Sequence, residues 1–212
     1  MRRPKKNQYY FIKLSLIIVG VFILQIFIPS FTESLHLNEK AISNYEIWRF
    51  FTAIFLHASL IHLLYNLFAL LFFGFALERL IGSRRFLIVF IFSGLIANII
   101  SVNFYSNSLG ASGAIMGIIG TLTVIRPLMM VWAFGLIMPI FIASLLWIIG
   151  DILGIFFPTG IGNIAHLSGM GVGFLIGFLL RKLHHERRNR IEIPESYIRE
   201  WEKTYIKRDR IR

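Results

Sequence analysis

The stretch from Leu56 to Glu78 reads LHASLIHLLYNLFALLFFGFALE. It carries no Lys or Arg, and its only acidic residue closes it. A helix needs roughly 20 mostly apolar residues to cross a bilayer, and this run supplies them. Among the polar side chains that interrupt it, His57, His62 and Asn66 stand out. His62 and Asn66 are four apart and share one helix face. Polar groups at that depth are costly, so each asks for a reason. Hydrogen bonding between helices, worth roughly 0.6–2 kcal/mol per contact, is one reason. A reaction site is the other, and this stretch alone leaves both open.

Working outward, comparable apolar runs cover residues 10–29, 86–104, 111–126, 133–156 and 163–182. With 56–78 they make six. The expected fold is all-α: a polytopic membrane protein built as a six-transmembrane-helix bundle. Composition agrees. Hydrophobic residues make up 56% of the 212 and charged residues 16%, where soluble domains average about 25% charged. The expected division is a cytoplasmic N-terminus over residues 1–9, a membrane domain over 10–182 and a basic cytoplasmic tail over 183–212.

The net charge of +11 would suit a nucleic-acid partner, but the location of the charges argues against one. With six spans, one face receives Arg2, Arg3, Lys5, Lys6 and Lys13, the 79–85 loop, Arg126 and the tail from Arg181. The other receives only Lys40 and Arg49. That bias places both termini in the cytoplasm. The first run is expected to be an uncleaved anchor, because Pro29, Ser30 and Phe31 lack a small-residue cleavage pattern. Residues 31–55 form one long outer connection with Trp48, Arg49, Phe50 and Phe51 suited to the interface. After Pro194, Tyr197, Ile198, Trp201 and Tyr205 fall on one helical face, as in a short amphipathic helix on the cytoplasmic surface.

Other polar or small residues stand out. The fourth run opens Gly110-Ala111-Ser112-Gly113, with Gly117 following. Gly113 and Gly117 suit close helix packing. Ser112 starts a helix with about 16 residues to spend before Arg126 and Pro127, so the chain from Asn107 to Leu109 should dip into the membrane, buried in protein. The sixth run carries Ala165-His166, then Gly169, Gly173 and Gly177 as a flat stripe. The fifth holds Trp147 and Asp151. Asp151 is read as bonding a neighbouring helix or reaching the outer surface rather than orienting a histidine, and Asp151→Asn is expected to matter little. Runs two, four and six share a direction, so His62, Ser112 and His166 come to a similar depth near the outer face.

A serine is a weak nucleophile until a base takes its proton, and His166 can be that base. Ser112 at a helix start has free N–H groups and a favourable dipole for an oxyanion, with His62 and Asn66 as further donors. The chain has no Cys, which removes thiolate nucleophiles and Cys-based metal sites. It has no H-E-x-x-H zinc motif, and its only aspartates are Asp151 and Asp209. No cofactor and no metal are expected.

At this point the sequence resembles the rhomboid family of intramembrane serine proteases. The matching pieces are Trp48-Arg49, His57-x4-His62-x3-Asn66, Gly74-x3-Glu78, Gly110-Ala111-Ser112-Gly113 and Ala165-His166-x2-Gly169-x3-Gly173-x3-Gly177. They occur in the family's order. The resemblance implies a Ser112–His166 catalytic dyad, with oxyanion donors from His62, Asn66 and the Ser112 N–H. Gly110 would shape the loop before the serine, and Gly113, Gly169 and Gly173 would let helices approach. The second and fifth helices would form a lateral gate with Trp147 at it. Substrates would be single-pass membrane proteins met within the lipid bilayer. Termini with little extra domain suggest a minimal prokaryotic form, and so a prokaryotic plasma membrane as the expected location. One departure is Met116, where the family often carries an aromatic packing under the histidine. The alternatives are a non-proteolytic rhomboid-like membrane chaperone and, less in keeping with polar groups gathered at one face, a small channel or transporter.

Overall fold

The helix that carries His62 and Asn66 spans Leu60–Ile81 and begins one turn later than the apolar run that announces it. A computed structural model describes residues 8–157, 160–189 and 195–205. In chain order its elements are α1 (Tyr10–Phe27), α2 (Phe31–Leu35), β1 (Leu37–Asn38), α3 (Lys40–Ser43), α4 (Arg49–Thr52), α5 (Leu60–Ile81), α6 (Ser83–Ser101), β2 (Asn107–Ser108), α7 (Ser112–Ile125), β3 (Met130–Ala133), β4 (Leu136–Pro139), α8 (Ile140–Ile155), α9 (Asn163–Asn189) and α10 (Glu195–Tyr205). The basic cluster from Arg2 to Lys6 lies outside the described residues, as does Pro194. Among the described residues, those up to Phe178 form one compact unit and those from Leu179 a second.

The fold is mostly helical, and among the described residues four helices (α1, α5, α6 and the Asn163–Lys182 part of α9) are long and apolar enough to cross a membrane. The two others are shorter: α7 has 14 residues and α8 has 16. At 1.5 Å per residue they reach about 21 and 24 Å, short of a hydrocarbon core of about 30 Å.

Local chemistry sets the helix ends. The Ser59 hydroxyl accepts the His62 N–H at 3.2 Å, a regular N-cap, so α5 starts at Leu60 and His57 stands in the loop before it. The expected run from residue 56 is corrected accordingly. Gly82 alone separates α5 from α6; its φ of +83° is open to glycine and strained for other residues. That turn starts α6 at Ser83, one helical turn before the expected residue 86.

Glu78 is 1% exposed and explains the joint beside it. Its carboxylate accepts the N–H groups of Tyr10 and Phe11 at 3.1 and 3.0 Å and the hydroxyl of Ser83. Those two N–H groups belong to the first turn of α1, where no helical acceptor exists. One side chain of α5 thus caps α1 and ties the start of α6.

The all-α expectation misses two short antiparallel ladders. β1 pairs with β2, joining the connection between α1 and α5 to the chain just before Ser112. β3 pairs with β4 as a hairpin turning at Phe134 and Gly135, with φ of 53° and 79°. Two consecutive positive φ values suit the right-handed twist of a tight hairpin. Residues 133–139, expected within the fifth helix, therefore belong to this hairpin. Pro139, which lacks an N–H, stands immediately before α8.

Arg49 organises the connection between α1 and α5. It is 5% exposed and its guanidinium is paired with Glu46 while donating to the carbonyls of Glu33 and His36 at 2.8 Å. In the second unit, α10 is the helix expected there, with the rings of Trp201 and Tyr205 5.6 Å apart.

Candidate active site

Ser112 is the first residue of α7, reached through a strained glycine. Gly110 has φ +126°, and its N–H donates to the Ala53 carbonyl at 2.8 Å. The β1–β2 ladder holds the chain just before it. Thus the loop leading to the serine is bound to the connection between α1 and α5 at both the ladder and Gly110.

A methyl group added at Gly110 would lie 2.8 Å from His62 Cε1, 3.0 Å from His62 Nε2 and 3.9 Å from Ser112 Oγ. His62 and Ser112 therefore flank one small space that only glycine leaves open. The Ala58 N–H approaches His62 Nδ1 at 3.4 Å, which makes Nδ1 the acceptor. A neutral His62 then carries its proton on Nε2, as a donor on the Gly110 side. The first turn of α7 adds backbone N–H groups without helical acceptors.

Asn66 sits one turn along α5 from His62 and is 6% exposed. Its amide donates to the His62 carbonyl at 2.9 Å. His57 is off this helix but packs edge-on to His62, with ring centroids 5.0 Å apart. Gln25 holds the His57 backbone in both directions, accepting its N–H at 3.0 Å and donating to its carbonyl at 3.2 Å. Burial pushes the His57 imidazole down to about 4, so it is neutral at pH 7.

His166 lies in the first turn of α9, its N–H donating to the Gly162 carbonyl at 3.0 Å. Its Nδ1 is 3.0 Å from Asp151 Oδ1 of α8. Both side chains are largely buried. Asp151 thus bonds a neighbouring helix, as expected, and its partner there is the candidate base. Read from the sequence, that pairing carries the lesser weight.

The helices carrying Ser112 and His166 touch backbone to backbone. A methyl added at Gly113 would lie 3.4 Å from the Ala165 carbonyl; one at Gly169 would lie 2.0 Å from the Gly113 carbonyl, and one at Gly173 2.2 Å from that of Gly117. The Thr121 hydroxyl reaches the Gly173 carbonyl at 3.0 Å across the same seam. The contact begins with Gly113 against Ala165, the residues next to Ser112 and His166. Met116, one turn after Ser112, is 8% exposed.

These residues lie inside a recognisable domain: positions 44–183 match the profile of the Rhomboid domain. The chain belongs to the rhomboid family. It is similar to "RHOMBOID-like protein 6, mitochondrial" of Arabidopsis thaliana, 35% identical over 67% of this chain and 46% of that one. It is similar to YdcA of Bacillus subtilis, 36% identical over 65% of this chain and 69% of that one. It also resembles "Rhomboid protease GlpG" of Salmonella paratyphi A, 30% identical over 64% of this chain and 49% of that one. The match spans about half the length of the Arabidopsis and Salmonella relatives.

The rhomboid match and the spanning helices make this an integral membrane protein. The matched region begins after α1, so the Glu78 cap joins rhomboid-domain residues to a helix that precedes them.

Trp147 stands between α8 and α5. Its ring meets Phe73 of α5 at 6.0 Å and Phe134 of the hairpin tip at 5.2 Å. Trp132 of β3 meets Phe68 of α5 at 6.0 Å. The hairpin therefore contacts both helices of the expected gate, a feature hidden in the sequence because its residues are as apolar as a helix.

Proposed function

We propose that this rhomboid is an intramembrane serine endopeptidase in which Ser112 is the nucleophile and His166 the general base. The observation that carries the proposal is the shared space at Gly110, with Ser112 Oγ on one side and the His62 imidazole on the other. The glycine seam supports it by bringing the start of α9 against the start of α7.

In this reading His166 Nε2 takes the Ser112 proton as Oγ attacks the carbonyl carbon of the scissile bond. The carbonyl oxygen becomes an oxyanion facing the Ser112 N–H and His62 Nε2–H, with the second Asn66 amide hydrogen nearby as a further donor. His166 gives its proton to the departing amine. Water then enters, loses a proton to His166 and releases the acyl group, restoring both side chains. Nothing in this sequence of steps needs a metal or cofactor.

The same reading has six spans, with both termini cytoplasmic and α10 lying on the lipid surface. The short α7 starts below the outer surface, and its preceding loop is covered by residues 31–55. Substrates are single-pass membrane proteins that enter between α5 and α8.

The test is labelling of the purified protein with a fluorescent fluorophosphonate, alongside cleavage of a single-pass substrate in liposomes. Wild type should label and cleave, while Ser112→Ala and His166→Ala should do neither and remain folded. Labelling that survives Ser112→Ala overturns the nucleophile assignment. A folded wild type inert in both assays favours the membrane-chaperone reading.

A further inference from the structure

Asp151 is a carboxylic acid within an apolar helix, 7% exposed. Burying an unpaired carboxylate is expensive, so such a group keeps a partner. The partner here is Nδ1 of His166, 3.0 Å away. An ionised carboxylate only accepts hydrogen bonds, so Nδ1 must donate. A neutral imidazole that donates from Nδ1 has its lone pair on Nε2. That is the nitrogen a serine proton needs.

The side chain of Asn163 packs against α8 beside this pair. Gly154 is one turn beyond Asp151 on α8, and Asn163 is one turn before His166 on α9. A methyl added at Gly154 would lie 2.6 Å from Asn163 Nδ2, and Asn163 is itself 5% exposed. Two facing turns, Asp151–Gly154 and Asn163–His166, thus meet without room for a larger residue. The carboxylate reaches the imidazole because α8 is held at this distance.

We infer that Asp151 is a positioning residue for the proposed reaction, fixing the orientation and tautomer of His166 so that its Nε2 faces Ser112. This rests on the reading of Ser112 and His166 given above. Asp151 touches neither substrate nor reacting atoms and acts through His166. It also stabilises the imidazolium that forms while the Ser112 proton is held.

Two measurements test it. In the first, cleavage by Asp151→Asn is compared with wild type, Asp151→Glu and Ser112→Ala in liposomes. Asp151→Asn should lose on the order of 10²–10⁴-fold in kcat with KM unchanged, as expected when a base is left in the wrong tautomer. Asp151→Glu should recover part of that loss. Wild-type kcat retained by a folded Asp151→Asn overturns the inference and leaves the protease reading intact. Cleavage that survives Ser112→Ala overturns the protease reading instead.

The second measurement needs no Asp151 variant to fold. Imidazole ¹⁵N spectra of the wild-type protein, with the His166 resonances assigned by their loss in His166→Ala, should show a proton on Nδ1 and none on Nε2 at neutral pH. A His166 protonated on Nε2 alone overturns the inference.

Discussion

Two helix seams in this rhomboid are built on opposite plans. Between α7 and α9 the closest contact is backbone on backbone: a methyl group at Gly169 or Gly173 would sit 2.0–2.2 Å from the carbonyls of Gly113 and Gly117, and Thr121 bonds the Gly173 carbonyl across the same seam. Between α5 and α8 the contact is aromatic, with Phe73 against Trp147 and the hairpin adding Trp132 and Phe134. Lipid tails give helices no hydrophobic reason to associate, so the closeness of packing supplies much of the attraction. A backbone seam has one arrangement. Aromatic rings part and meet again by changing rotamer. In the proposed function the chemistry is carried by the seam that does not yield, and access lies at the seam that does.

The comparison breaks first at Gly169. Valine there meets the Gly113 backbone, and the variant should lose about 3 kcal/mol or more together with activity. Gly20→Val, with nothing within 4 Å of its added carbon, is the control. Equal unfolding midpoints in detergent for the two variants would show that the seam is looser than described. Next comes Gly154→Val, which should push α8 from Asn163 and lower kcat about as far as Asp151→Asn does; unchanged kcat would separate helix spacing from His166 alignment.

Asn66→Ala should slow turnover by roughly 10²–10³-fold if its amide serves the oxyanion, and an unaffected rate removes it from that role. Trp147→Leu takes away two ring pairs and should lower stability by about 1–3 kcal/mol while cleavage persists or quickens. Loss of cleavage with full stability would make the aromatic seam part of the reaction site.

The smallest effect concerns His57, buried neutral against His62. Its imidazole ionises at about 4 when folded and near 6.5 when unfolded, so the unfolded state takes the proton first. Stability that is full above about pH 6.5 should fall as the pH drops towards 4. His57→Phe should flatten that slope, and an unchanged slope would assign it to another group.

What the sequence made legible was whatever stood out against apolar surroundings. Ser112, His62, Asn66, His166 and the glycine stripe all did, because lipid makes each polar or small residue conspicuous. The hairpin did not. Met130 to Pro139 is apolar on both faces, and a short apolar run reads equally well as strand or helix. Nor did partnerships between distant residues. Asp151 was visible, but periodicity gives a face and not the side chain facing it. The bond from Gly110 to Ala53 joins two backbone groups and leaves no trace in residue identity. Glu78 was noted only as part of a spaced pair with Gly74, and its role appears once Tyr10 and Phe11 are placed beside it.

That carboxylate also bears on how the chain is made. The first helix emerges from the ribosome long before residue 78 exists. Until then its leading amides can be satisfied only by water or lipid headgroups, and the helix is free to tilt or slide. When α5 enters the membrane, one glutamate closes the first helix and the next turn together. Assembly of the amino-terminal half is thus a latch that shuts late, and a chain stalled before Glu78 should show a first helix inserted but not yet docked.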